Sequence, residues 1–176
     1  MLTKTSLLLT FLSITALATA KPLDVFFGTG GRGAEGIYHA TFNPDNGKFS
    51  PAKLAAEIGS PGFLAHHPDG KKIYAVARWD KLAGAVGYNV LPGGELKEFT
   101  RMACPDGGGA HVAVHPSGKF LLTAQYGGGS VALFPLDSSG KLGEPTVSEH
   151  EGGSKVVERR QQSPHPHWCG FSPDGK

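Results

Sequence analysis

Residues 160–167 read Arg-Gln-Gln-Ser-Pro-His-Pro-His and hold the densest set of side chains in the chain that could do chemistry. His165 and His167 stand two apart, so on an extended backbone both imidazoles point to one side. Pro164 and Pro166 favour that extended form, because each fixes its own φ and biases the preceding residue away from helix. A neutral imidazole can take a proton from a water that attacks a carbonyl carbon. A guanidinium such as Arg160 can grip a phosphate or carboxylate bidentately, or steady a developing oxyanion. Gln161, in the same segment, is a candidate for substrate binding. So are His111, which follows Gly107-Gly108-Gly109, and Tyr126, which precedes Gly127-Gly128-Gly129.

The same residues admit plainer readings. His165 and His167 could hydrogen-bond loop carbonyls, as buried polar groups must. His111 could be a packing residue. A His-x-His pair can also offer two metal ligands, with a third from His111, Glu149 or His150; no metal and no cofactor is expected here. No G-x-S-x-G elbow, phosphate-binding loop or cysteine-protease signature occurs, so direct attack by water is simpler than covalent catalysis. His67 and His115 directly precede turn prolines and read as structural, and His39 reads as a strand residue.

The elements that must position these groups are short strands. Residues 107–134, GGGAHVAVHPSGKFLLTAQYGGGSVALF, alternate apolar and small or polar residues with period two, broken by turn residues. The turn Pro116-Ser117-Gly118-Lys119 has counterparts at Pro68-Asp69-Gly70-Lys71 and Pro173-Asp174-Gly175-Lys176. Aligning these prolines stacks Leu64, Val112 and Cys169 in one column, Ala65, Ala113 and Gly170 in a small-residue column, and Phe63, His111 and Trp168 in a third. A second ladder (Gly47-Lys48-Phe49, Gly94-Glu95-Leu96, Gly140-Lys141-Leu142) keeps step between them. A repeat of roughly 45–50 residues made of four strands predicts an all-β chain of β-propeller blades, about three of them here. The small column suits innermost strands, which crowd towards the axis.

In chain order, residues 1–20 have a basic start at Lys4, an apolar run over 7–17 and a small-residue end at Ala18-Thr19-Ala20, predicting a cleaved signal peptide and a periplasmic or secreted protein. No membrane attachment is expected after cleavage. Residues 24–29, 36–43 and 48–58 align with the second, third and fourth strands of the repeat, so the first blade lacks its innermost strand. At the other end the chain stops inside a hairpin turn. Both ends predict that residues 21–176 are the front part of a longer propeller. With 26 Gly, 13 Pro and a net charge of +2, and no basic cluster beyond Arg159-Arg160, the composition points away from nucleic acid. Cys104 and Cys169 sit in apolar strand-like contexts and are expected to be free and buried.

With those residues laid out, the chain resembles the lactonase-type seven-bladed propellers, the 6-phosphogluconolactonase family that also contains carboxymuconate cyclases. The carrying segments are FFGTG…EGIYHATFNPDNGKFS, SPGFLAHHPDGKKIYAV, GGGAHVAVHPSGKFLLTAQYGGGSVALFPLDSSGKLGE and RQQSPHPHWCGFSPDGK. The YGGGSV run together with R-Q-x-x-P-H-x-H is the specific part. Arg78-Trp79 stands where members usually have Asn-Glu, and Gln125 where Asn precedes the tyrosine. The resemblance implies hydrolysis of a sugar lactone (6-phosphogluconolactone or a related aldonolactone), a small-molecule substrate, and a substrate-binding role for residues 160–167. Its alternatives are a lactone-forming cyclase acting on a muconate-like diacid, and a non-catalytic exported binding platform.

Overall fold

The computed structural model describes residues 20–175; the expected signal peptide falls almost wholly outside the described residues. Among them, the strands form three four-stranded antiparallel sheets and no helix. The first sheet holds β1 (Leu23–Gly28), β2 (Gly36–Asn43), β3 (Lys48–Phe49) and β4 (Lys53–Glu57). β2 pairs with β1 on one side and with β3 and then β4 on the other. The single strand expected over 48–58 is thus split. Pro51, which has no N–H to give the ladder, marks the break just after Ser50 donates to the Thr41 carbonyl at 2.9 Å. The second sheet is β5 (Gly59–His66), β6 (Lys72–Trp79), β7 (Leu82–Val90) and β8 (Leu96–Ala103); the third is β9 (Gly109–Val114), β10 (Phe120–Gln125), β11 (Ser130–Pro135) and β12 (Thr146–Glu149). Each is a meander whose consecutive strands pair.

Period-two alternation explains how the sheets stack. Along β6, Ile73, Ala75 and Ala77 face one way and join Ile37, Val86, Tyr88 and Leu96 in a core against the first sheet. Tyr74 and Val76 face the other way and join Val112, Leu121, Ala132 and Phe134 in a core against the third. Polar bonds tie the same seam. The Tyr74 hydroxyl, its pKa pushed far up chiefly by burial, donates to the Gly140 carbonyl at 2.6 Å. The Leu142 N–H donates to the Thr100 hydroxyl at 3.1 Å. At the inner edge β5 lies against β9, and β1 packs beside β5 as β6 does beside β9. Residues 166–172, expected as a further inner strand, run along β9 without strand pairing among the described residues, because strand structure needs a hydrogen-bonded neighbour. Cys104 and Cys169 are both buried and both free.

The repeated turns latch one blade to the next. Gly70, Gly118 and Gly175 have φ of 68°, 69° and 74°, and each N–H closes back on the residue before the turn proline. The imidazole of His67 reaches the Gly118 carbonyl at 3.2 Å, and that of His115 reaches the Gly175 carbonyl at 2.8 Å. A carbonyl only accepts, so Nε2 donates in both cases. His67→Ala should therefore cost about 1 kcal/mol of stability, the ordinary worth of one net hydrogen bond. Gly118→Ala should cost at least about as much, since its φ is left-handed and its new Cβ would meet His67 Nε2 at 2.6 Å. Gly127→Ala, with open space around it, is the neutral control. Denaturant midpoints of the full-length protein check all three.

Candidate active site

The rim at which β5 and β9 begin carries the candidate site. The Gly59/Phe63 irregularity in the β5–β6 pairing sets Ser60 and Gly62 at the edge of a cleft. Ser60 has φ 49°, a conformation non-glycine residues seldom adopt, so the backbone here is held by its surroundings. The cleft, of about 540 Å³, is lined by Ser60, Gly62, Ala77, Arg78, Gly108, Gly109, Tyr126 and Gly127. A bulge at Ala124/Gln125 turns the end of β10 and aims Tyr126 at this opening. Gln125 itself points inward: it is 1% exposed, and its amide donates to Thr123.

Two histidines gather on Tyr126. The His165 ring stacks on the Tyr126 ring with centroids 4.5 Å apart, and His167 meets it edge-on at 5.7 Å. His165 Nδ1 lies 2.8 Å from the Tyr126 carbonyl oxygen. Because that oxygen can only accept, Nδ1 carries the proton, and neutral His165 presents an unprotonated Nε2. A backbone contact thus fixes Nε2 as the nitrogen free to take up a proton.

His111 sits one layer deeper, on β9. Its ring lies 4.0 Å from Phe63 and 5.6 Å from Trp168, so the aligned column of the repeat becomes a run of touching rings. The Cys169 N–H points at His111 Nδ1 from 3.5 Å, and the Cys169 thiol lies 3.6 Å from the same atom. Burial pushes that thiol up to about 11, so it stays protonated and is no thiolate nucleophile at neutral pH. Burial first, and the nearby His167 second, hold His111 below its ordinary pKa.

The other sequence candidates lie apart from this cluster. Arg160 closes a turn on Val157 through its backbone N–H at 2.9 Å and is exposed. Its guanidinium has no hydrogen-bond, ion-pair or ring partner among the described residues, so it is not folded over the imidazoles here. Gln161 spends its side-chain oxygen inside its own loop, accepting from Ser154 Oγ at 2.7 Å and Val157 N at 2.9 Å. Among the described residues no three His, Cys, Asp or Glu side chains are grouped to hold a metal ion. In the sequence Arg78 carries no motif of its own and stands out only beside Trp79 as an unusual pair. Here it lies at the penultimate position of β6 and is the one charged side chain lining the cleft among the described residues.

Residues 24–176 match the family described as "Lactonase, 7-bladed beta-propeller". The chain belongs to that family. It is 33% identical over 143 residues to a 6-phosphogluconolactonase of Bacillus subtilis, covering 81% of this chain and 41% of the relative. A 6-phosphogluconolactonase of Formosa agariphila is 29% identical, with 78% and 40% covered. Among solved structures, the periplasmic gluconolactonase of Pseudomonas aeruginosa superposes with a TM-score of 0.77 at 25% identity, over 88% of this chain and 46% of that one. The chain therefore spans about two fifths of the length of these curated lactonase relatives.

The buried histidine gives this lactonase-family rim a pH signature. With its folded pKa below the ordinary 6.5, His111 binds fewer protons folded than unfolded between those two values. Its contribution to stability is full above about pH 6.5 and is lost as pH falls towards the folded pKa. His111→Phe keeps the ring packing and should flatten that acid limb. Denaturant midpoints at about pH 5 and pH 7.5, for the variant and the parent, check it.

Proposed function

We propose that the full-length protein hydrolyses a sugar lactone, 6-phosphogluconolactone or a related aldonolactone, with His165 as general base. The observation that carries this reading is the bond from His165 Nδ1 to the Tyr126 carbonyl, beside a cleft large enough for a sugar ring. A water held on Nε2 gives up a proton to it as its oxygen attacks the lactone carbonyl carbon. The carbonyl electron pair moves to oxygen; when it returns, the ring C–O bond breaks, and the leaving oxygen takes the proton back from His165. The products are the open-chain acid and an unchanged enzyme, with no covalent intermediate. His167 borders Tyr126 edge-on, while His111, Tyr126, Gln161 and Arg160 are assigned to substrate: Arg160 would steady the oxyanion or grip an acidic group. The names of the Bacillus and Pseudomonas relatives support this chemistry.

The proposal extends to location. Residues 1–20 have the pattern of a signal peptide, and the Pseudomonas neighbour is described as periplasmic. An exported enzyme would meet lactones of external sugars rather than one made inside the cell, which favours an aldonolactone formed by sugar oxidation outside the cytoplasm. Hydrolysis followed at controlled pH, corrected for spontaneous ring opening, is the test. His165→Ala should lower the rate about 10²–10⁴-fold. His167→Ala should fall less, because its ring only borders Tyr126. Arg160→Lys should weaken binding of an anionic lactone although the charge is kept, since lysine lacks the planar fork. Unchanged rates in both histidine variants would sink the catalytic reading and leave a binding platform.

A further inference from the structure

We propose that Arg78 is the specificity-determining residue of this site, holding the anionic group of its substrate over a platform made by Gly108 and Gly109. The inference rests on the lactone reading for the identity of the substrate, and on its own geometry for the existence of an anion site. Arg78 lines the central cleft together with Gly108, Gly109 and Tyr126, the tyrosine that carries His165. Among the described residues no other residue lining that cleft is charged. Arg78 also borders the two adjoining clefts, whose acids are Asp80 and Glu144 on one side and Glu35, Glu57 and Asp80 on the other. None of them comes within ion-pair distance of Arg78, which has no polar partner among the described residues. A guanidinium held at a cleft edge with all its donors unspent suits a phosphate or carboxylate, whose paired oxygens match its fork.

The glycines explain why the guanidinium can lie there. A Cβ on Gly108 would come within 2.5 Å of Arg78 Nη2, so the side chain rests directly on the glycine backbone. A Cβ on Gly109 would strike Val76 Cγ1 at 2.5 Å. Both positions therefore leave the cleft floor bare beside the charge. The backbone of Arg78 is fixed by its pairing with Ala83 across the β6–β7 hairpin, so the anchor is rigid and only the side chain has freedom.

The test compares three lactones on the full-length protein: 6-phosphogluconolactone, a glucaric acid monolactone, and neutral gluconolactone. Arg78→Gln should lower kcat/KM for the charged substrates about 10–100-fold, mostly through KM, and leave the neutral one within about twofold. Gly108→Ala keeps the charge but displaces the guanidinium at little cost to the fold, and should shift the charged substrates in the same direction by a smaller factor. A loss confined to the phosphate or to the carboxylate substrate assigns the group that Arg78 reads. Equal losses on all three lactones, or none, overturn the proposal. Calorimetric binding of 6-phosphogluconate separates the two readings. If the parent hydrolyses no lactone yet binds this anion, and Arg78→Gln weakens that binding at least tenfold, the anion site stands and the lactonase reading falls. If binding is the same in both proteins, the anion site falls whatever the hydrolysis shows.

Discussion

The packing of this chain depends on its middle sheet being apolar on both faces. A single four-stranded meander with Ile73, Ala75 and Ala77 on one side and Tyr74 and Val76 on the other has nowhere to hide both sets of side chains. Only stacking between two neighbours removes both faces from water, at about 25 cal/mol for each square ångström of apolar surface covered. The order of blades along the chain is then the order in space, because short turns join each sheet to the next. The histidine latches at His67 and His115 add direction to this otherwise undirected burial, since each must find the carbonyl of one particular turn glycine in the following blade.

Stacking face to face also creates the site. The first strands of successive blades crowd together at the inner edge, where small residues such as Ala65, Ala113 and Gly170 permit close approach. Side chains from the beginnings of those strands and the ends of the second strands, far apart along the chain, then share one opening. Ser60, Arg78, Gly108 and Tyr126 come from four different segments of two blades and line one cleft. The strained Ser60 backbone and the bulge before Gln125 are the local departures from regular pairing at this edge. Departures of this kind are expected where a sheet gives up regularity to aim side chains.

The chemistry of the rim is set by backbone groups as much as by side chains. The Tyr126 carbonyl decides which nitrogen of His165 is free, and the Cys169 N–H is directed at one nitrogen of His111. Burial weakens the hold of His111 on a proton and keeps the Cys169 thiol protonated. Gly108 acts by omission, leaving the space that the Arg78 guanidinium fills.

The sequence by itself determined the repeat. Prolines 68, 116 and 173 mark turns whose geometry depends only on local residues, and period-two alternation depends only on strand pleating; both were legible without a fold. The structural reading of His67 and His115 followed from the same turns. The grouping of His165, His167, His111 and Tyr126 could be anticipated in outline, because the repeat places the histidines at the start of inner strands and Tyr126 at the end of a second strand. Tertiary structure alone decided the rest. The tautomer of His165 depends on a carbonyl 39 residues away, and His111 Nδ1 faces a cysteine 58 residues away. Arg78 meets Gly108 only because two sheets stack, so no spacing along the chain announces it. Arg160 shows the converse: its place in a motif was plain, but the exposed turn at Val157 leaves its side chain unconstrained by any packed neighbour, and a motif cannot say where such a side chain will lie.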